Sequence, residues 1–558
     1  MGRPSHELAA PPARRLAGAT ALRVGARGAR DESEARLPRL RVVLRGADGL
    51  LALQLAGMVL VNLLEYRRYS LTNDFAGYAQ AWSAIGHGSL DPYLTVFRVR
   101  FLHNNLDLAL YPLALVGRVV ADPNLLSWAQ DAAVVATELV ALRWARDIVL
   151  ERLAHRPRRA DAIVAGLALV FAVNPFAWET AAFPVHFEAF AALFALAAGR
   201  DLWRARHGWV AVWVPLAMAA EALGSLYVLV AGAGALLAGR RTRHGGAVVA
   251  AVGAAGLACV LRLGLVGRGG QTLRSIYGYL LPSGQGHVGL GALLLGVATH
   301  LPAAAALLGR HLPFLLACVV AAGIAGAASP WGAAALVLVL VPNALSSQPG
   351  FVDLAGAFQS WPAQPFLAVG SASLAAAFLA RERHEVARTA CALALCSVVA
   401  LGAVASAAVP GAWLFSRRTA ATLAAVDRRL SERAEVIADQ GLVGRFWRRA
   451  HVYSFIRAGQ RFPVTGRLVV FLLFPGASAG ERDIGRRLER SLRAVVVARG
   501  AGVLALAWHV PPGVGSVELA GGRAPARPRP GKAESRRRAG RRARTTPGRR
   551  PRRARISG

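Results

Sequence analysis

Lysine is almost absent from this chain: of 66 Lys and Arg residues, only Lys532 is a lysine. The arginine excess is therefore a compositional habit and says little about an arginine-specific ligand. Cysteine is scarce too. Cys259, Cys318, Cys391 and Cys396 all lie in or beside apolar runs, where thiols act as small hydrophobes, and their spacing excludes a disulfide framework, a redox pair or a zinc site. Charged residues make up 17% of the chain against 55% hydrophobic, with a mean hydropathy of +0.40. That balance excludes an ordinary soluble enzyme. A cleavable leader is not expected either, since 46 mostly polar residues precede the first apolar run, which then stays as an anchor.

What is present is a series of apolar windows. They are Leu50–Leu64, Ala132–Leu142, Ala162–Val173, Phe187–Ala198, Val248–Leu261, Leu290–Ala298, Phe314–Ala328 and Ala390–Val409. Extended by flanking Gly, Ser and Thr, these reach the length a bilayer crossing needs, about 20 residues. Lipid offers backbone groups no partners, so such segments must be helices. The fold expected is an α-helical polytopic membrane protein of roughly 10–12 transmembrane or half-membrane helices.

The net charge of +35 is concentrated at the ends. Segment 1–46 carries ten Arg against four acids, and segment 519–558 carries fourteen Arg and Lys532 against one Glu. Both read as disordered polycations, and no folded reader motif accompanies them, so no nucleic-acid partner is expected. Basic residues before Leu50 place the N-terminus in the cytoplasm of a cell-membrane protein, and Arg143–Arg159 reads as the next cytoplasmic loop. Only one span can lie between them beyond the first. Leu106–Val120 contains Asp107, Pro112 and Arg118 and reads as a surface helix, leaving 66–124 as one external loop and 125–142 as the return.

From 209 to 238 the chain must go out and back in too few residues for two full crossings, so two half-length helices should meet at Glu221, lining a cavity. Region 311–343, interrupted by Pro330, is ambiguous in the same way. The domains expected are 1–46, a membrane domain over 47–410, an extracytoplasmic α/β domain over 411–518 and a tail from 519. The α/β domain should hold a helix near Ala420–Arg433, strands near Val452–Ile456, Leu468–Phe474 and Val503–Trp508, and a charged helix over Arg482–Arg499.

This topology gathers ionisable residues at the external face: Asp74, His103, His186 with Glu188, and Glu221. Pro184 keeps Phe183 extended, and in extended chain His186 and Glu188, two apart, point to the same side. Plainer roles exist for most: Asp74 as a helix cap, His103 as an interfacial anchor, and His186 with Glu188 as a mutually paired loop clamp. Glu221, set among apolar residues, is the hardest to explain that way, because an intramembrane carboxylate is a functional candidate by default. His186 and Glu188 could also supply two ligands of an undefined divalent-metal site; no further metal ligand set stands out.

An ordered set of short motifs resembles the bacterial membrane proteins of domain of unknown function 2079, similar in turn to GT-C fold membrane glycosyltransferases. The set is Asp74-Phe75-Ala76-Gly77-Tyr78-Ala79-Gln80, His103-Asn104-Asn105, Asn174-Pro175, Val185-His186-Phe187-Glu188-Ala189, Glu221 between Ala220 and Ala222, and Phe358-Gln359 followed by Pro362 and Pro365-Phe366-Leu367. The resemblance implies Asp74 and Glu221 as catalytic residues, Gln80, His103, His186 and Glu188 as substrate-binding, and a polyprenyl-phosphate-linked sugar as donor beside membrane lipids. This chain departs from the pattern by lacking a Lys and an Asp around Glu221 and a His at position 358. A transporter or flippase, or a non-catalytic envelope-assembly protein, is the alternative.

Overall fold

A computed structural model describes residues 38–154, 157–266, 273–281, 290–352, 358–380, 414–455, 459–474 and 479–519, with single positions at 388, 395, 398 and 402. The expected final span near 389–409, the basic cluster Arg381–Arg388, most of the 1–46 segment and the tail after Leu519 lie outside the described residues or nearly so.

The chain enters with α1 (Pro38–Arg67), which begins nine residues before the expected 47 boundary. The loop over 66–124 holds α2 (Asn73–Gly86), a two-stranded hairpin of β1 (Tyr93–Leu94) and β2 (Val99–Arg100), and two short helices, α3 (Phe101–Asn104) and α4 (Leu110–Val116). Within segment 106–120 only Leu110–Val116 is helical, too short to span, and Asp107 ahead of it is buried. The return helix α5 (Asn124–Leu153) is longer than expected. Arg143, Arg146 and Arg152 ride on its last turns, and α6 (Pro157–Ala172) begins four residues after α5 ends. Long Arg stems lying along apolar surface let the helix continue past the hydrocarbon edge. At this end Asp147 binds Arg200 at 3.2 Å and also Arg204.

Asn174 then caps α7 (Pro175–Ala182), its side chain accepting from the Phe176 and Ala177 amides, with Pro175 at the first helical position. Next come α8 (Glu188–Trp203), the half-length pair α9 (His207–Ala220) and α10 (Gly224–Ala238), and α11 (Arg243–Arg262). The expected break at Glu221 is there. Gly232 lets α10 and α11 touch backbone to backbone, since a Cβ there would meet the Ala250 nitrogen at 2.2 Å. Beyond lie α12 (Leu290–Thr299) and α13 (Leu301–Arg310), bent by 89°. The ambiguous region resolves into α14 (Leu312–Ala321) and α15 (Pro330–Ala344), the latter started by Ser329 accepting from the Gly332 amide at 3.0 Å. Gln364–Ala380 is α16.

Five of the described helices are long and apolar enough to cross a membrane, or six if the bent pair is one span, with four shorter apolar helices beside them. With the bent pair as one, that makes ten transmembrane or half-membrane helices among the described residues, the expected final span near 389–409 lying outside them.

The C-terminal lobe opens with α17 (Arg417–Arg429) and forms a five-stranded sheet in the order β4-β3-β6-β8-β7. The strands are β3 (Glu435–Asp439), β4 (Val452–Phe455), β6 (Leu468–Leu473), β7 (Val495–Gly500) and β8 (Val503–His509); β5 (Arg461–Pro463) pairs β9 (Ser516–Glu518) apart. β3 runs parallel to β4 and β6, whereas β8 is antiparallel to both β6 and β7. The charged helix, α18, covers only Ala479–Ser491. Val495, Val496 and Val497 are β-branched and suit a strand better than further helix.

Strand alternation gives the sheet two apolar faces. Ile437, Phe471, Leu504 and Leu506 pack with Ile484 and Leu488 of α18. Val436, Ala438, Val470, Leu472 and Ala505 share a core with Phe75, Trp82, Phe101, Val185 and Phe187. The external loop, the 185–187 segment and the lobe therefore lie on one side of the membrane domain. Gly444 marks the closest approach: its amide donates to the Leu71 carbonyl at 3.1 Å, and a Cβ would meet Leu71 at 2.3 Å.

Candidate functional site

The site assembles from four chain segments under the lobe. Asp74 lies in the first turn of α2, where the helix dipole favours a carboxylate. One turn later Tyr78 points inward, and its hydroxyl donates to Asp107 Oδ2 at 2.5 Å. Asn105 Nδ2 reaches the same hydroxyl at 3.4 Å. Asp107 is fully buried and also accepts from the Ala222 amide, while the Leu108 amide donates to the Ala219 carbonyl at 3.0 Å. The external loop is thus laced into the gap between α9 and α10. Glu221, extended at that gap and buried, accepts from the Leu223 amide at 2.5 Å.

The third segment brings His186 and Glu188. The His186 amide donates to Gln130 Oε1 at 2.5 Å, and its Nδ1 lies 3.5 Å from Glu188 Oε2. The imidazole, Phe183 and Phe358 form a cluster of three rings, with the imidazole centroid 3.8 Å from that of Phe358 and 5.4 Å from that of Phe183, and the two phenyl rings stacked on each other at 4.9 Å. Phe358, where the resembled pattern has His, therefore sits inside the site, and its ring occupies the position as an apolar wall. His186 Nε2 is buried without a hydrogen-bond partner among the described residues.

Electrostatics binds these residues into one unit. Burial pushes the Asp107 carboxyl up to about 7, against the hydrogen bond from Tyr78, with Glu188 adding to the rise and His186 opposing it. Burial alone would lower the His186 imidazolium, but Glu188, Asp74 and Asp107 reverse the sign and raise it. Tyr78 is held well above its ordinary value by burial and by Asp107 and Glu188. Glu221 feels the charges of both Glu188 and Asp107. The result is one imidazole set among four carboxyl groups.

Of the residues singled out by sequence, Asp74, His186, Glu188 and Glu221 fall together. Gln80 does not join them: its amide nitrogen donates to Thr95 Oγ1 at 2.9 Å and to the Trp447 carbonyl at 3.4 Å, tying the loop to the lobe. His103 also stands apart, exposed on an open cleft of about 510 Å³ with Asp91, Arg98 and Arg100. Asp107 and Tyr78 were missed as site residues. The signal for Asp107 was available, because a carboxylate that keeps a segment out of lipid needs a polar place to go. Among the described residues no three His, Cys, Asp or Glu side chains form a metal-binding group; His186 and Glu188 are spent on each other.

No protein-family model matches the chain, and no curated protein matches it. Among solved structures it is similar to ArnT from Cupriavidus metallidurans in the apo state, at 13% identity over 83% of this chain and 98% of that one, with a TM-score of 0.43. A likeness this remote carries no functional argument.

Proposed function

We propose that this is a plasma-membrane protein, N-terminus in the cytoplasm, that moves a sugar from a polyprenyl-phosphate carrier to an acceptor hydroxyl at the outer face. The single observation that carries the reading is the convergence of Asp74, Asp107, His186, Glu188 and Glu221 at one place beneath the lobe. The ordered motifs, which resemble GT-C-like proteins, support it. Asp74, partly exposed at a helix N-terminus, is the group that takes the acceptor proton as the oxygen attacks the anomeric carbon. The bond from that carbon to the phosphate oxygen breaks, and the lipid phosphate leaves with the electron pair. A cation must face it. Arg68, Arg98 and Arg100 are engaged with Phe415, Arg461 and Asp91; His186, whose imidazolium is favoured by Glu188, Asp74 and Asp107 around it, is assigned that part.

Asp74→Asn should lower consumption of lipid-linked sugar in membranes by about 100-fold or more, and Glu221→Gln should lower it as well. Unchanged turnover in both, at normal protein levels, overturns the reading. The meeting of α9 and α10 at a buried carboxylate favours a second reading, a transporter for a lipid-linked or small solute. Proton-coupled uptake lost at Glu221 but kept at Asp74 would select it.

A further inference from the structure

A second polar feature lies where α1 packs on α5, next to the site just described and joined to it by Gln130. The seam that α1 presents to its neighbours runs Ala47, Leu51, Gln54, Met58, Asn62, Glu65, all buried and spaced by three or four residues. On α5 the buried set includes Asp131, Val134, Glu138, Leu142, Ala145 and Val149, with the same spacing. These are helix-packing positions, and polar groups take four of the outer ones. Asn62 Nδ2 donates to Asp131 Oδ2 at 2.7 Å, and Gln54 Nε2 to the Phe171 carbonyl at 3.2 Å. Glu65, Asp131 and Glu138 are essentially without solvent exposure.

Their other oxygens are bare. Both oxygens of Glu65 and Oδ1 of Asp131 have no hydrogen-bond partner among the described residues, and neither do the amide oxygens Gln54 Oε1 and Asn62 Oδ1; the two oxygens of Glu138 make no hydrogen bond of good geometry, though the Gln54 side chain lies beside them. Among the described residues no cation pairs with them. The charge that bears on Glu65 is the like charge of Asp131. Arg445 of the lobe, near the outer end of α1, lies 3.7 Å over the Tyr66 ring. Gln130, next to Asp131, turns to His186 and Thr180. Of the other charged residues on these and adjoining helices, Arg67 on α1, Glu179 on α7 and Glu188 on α8 lie toward the lobe end, and Arg45, Asp48, Arg143, Arg146, Asp147, Glu151, Arg152, Arg159, Asp161, Arg200 and Asp201 toward the opposite end.

A bare carboxylate in such a place is strongly disfavoured, and an unmatched buried amide oxygen adds to the deficit. One ligand removes both deficits. A proton on a carboxyl cancels its charge and creates an O–H that an amide oxygen can accept.

We infer that the α1–α5 seam is a proton-binding site, in which Glu65, Asp131 and Glu138 are carboxylic acids whose O–H groups serve the amide oxygens of Asn62 and Gln54 and the Glu65–Asp131 contact. The protons enter from the lobe side, where Glu65 stands two residues before the end of α1. Losing them places like charges between two packed helices and drives α1 from α5.

The test is infrared spectroscopy of the full-length protein in lipid nanodiscs at neutral pH, with Glu65→Gln, Asp131→Asn and Glu138→Gln prepared singly. Each variant should delete one component of the protonated-carboxyl C=O band and melt close to the parent, because the amide imitates the neutral acid. An intact band in all three overturns the inference, as does a loss confined to the carboxylate region. So does failure of the neutral variants to assemble, since the fold would then need the charge. A component that shifts when sodium replaces choline would assign the oxygens to an alkali ion instead, and would equally overturn it.

Discussion

At the scale of single residues the outer site is governed by Asp107. A free Asp titrates near 4, whereas this one is lifted to about 7, first by burial. The folded protein therefore holds that proton more tightly than the unfolded chain does. Its contribution to stability is full below about pH 4 and is lost as the pH rises to about 7 and through it. Thermal unfolding followed across that window should show a falling stability, and Asp107→Asn should flatten the fall. An unchanged slope in the variant would remove Asp107 as its source. Sequence could have reached this residue, because the charge that barred Leu106–Val120 from lipid is the one the fold turns inward. It could not have demoted Gln80 or His103. Whether a polar side chain faces a neighbouring loop or a pocket depends on contacts with residues hundreds of positions away, as the bond from Gln80 to Trp447 illustrates.

Elements follow local chemistry more openly. The half-helices either side of Glu221 were legible because 30 residues cannot cross a bilayer twice, and the caps at Asn174 and Ser329 follow from residue type. What stayed hidden was governed by burial on both faces. β3, Glu-Val-Ile-Ala-Asp, shows no clean polar alternation because each of its sides meets a different core. The overlong charged helix failed for a related reason, its arginines continuing past the point where three valines enter the sheet as β7. The α10–α11 contact makes a sharper claim about packing. Gly232→Val has no room for its Cβ against Ala250, so it should destabilise the membrane domain by about 1–3 kcal/mol. Scanning calorimetry of the solubilised protein would measure this, and a parent-like transition would mean the two helices can separate freely.

For the whole molecule the organising fact is that loop, 185–187 segment and lobe share one core. Cysteines placed at His87 and Gly513, both exposed on that side, should react with an impermeant reagent from the same face of the membrane, and one at Arg240 from the other. Labelling of positions 87 and 513 from opposite faces would contradict the shared core. Gly444→Val should loosen the lobe by forcing Gly444 away from Leu71, raising the rate of limited proteolysis in 414–519 while leaving the melting of the membrane helices as it was. Equal proteolysis of variant and parent would show that the docking does not depend on this approach.

The docking also has a consequence for how the protein is made. Trp447, in the C-terminal lobe, closes over a loop that emerges among the first hundred residues, its partner Gln80 standing 367 positions earlier. During synthesis that loop must wait, half-built and with Phe75 and Trp82 uncovered, until the ribosome has delivered some 350 further residues. A chaperone or the translocation machinery that shields the loop in the interval would then be needed for the outer site to form at all.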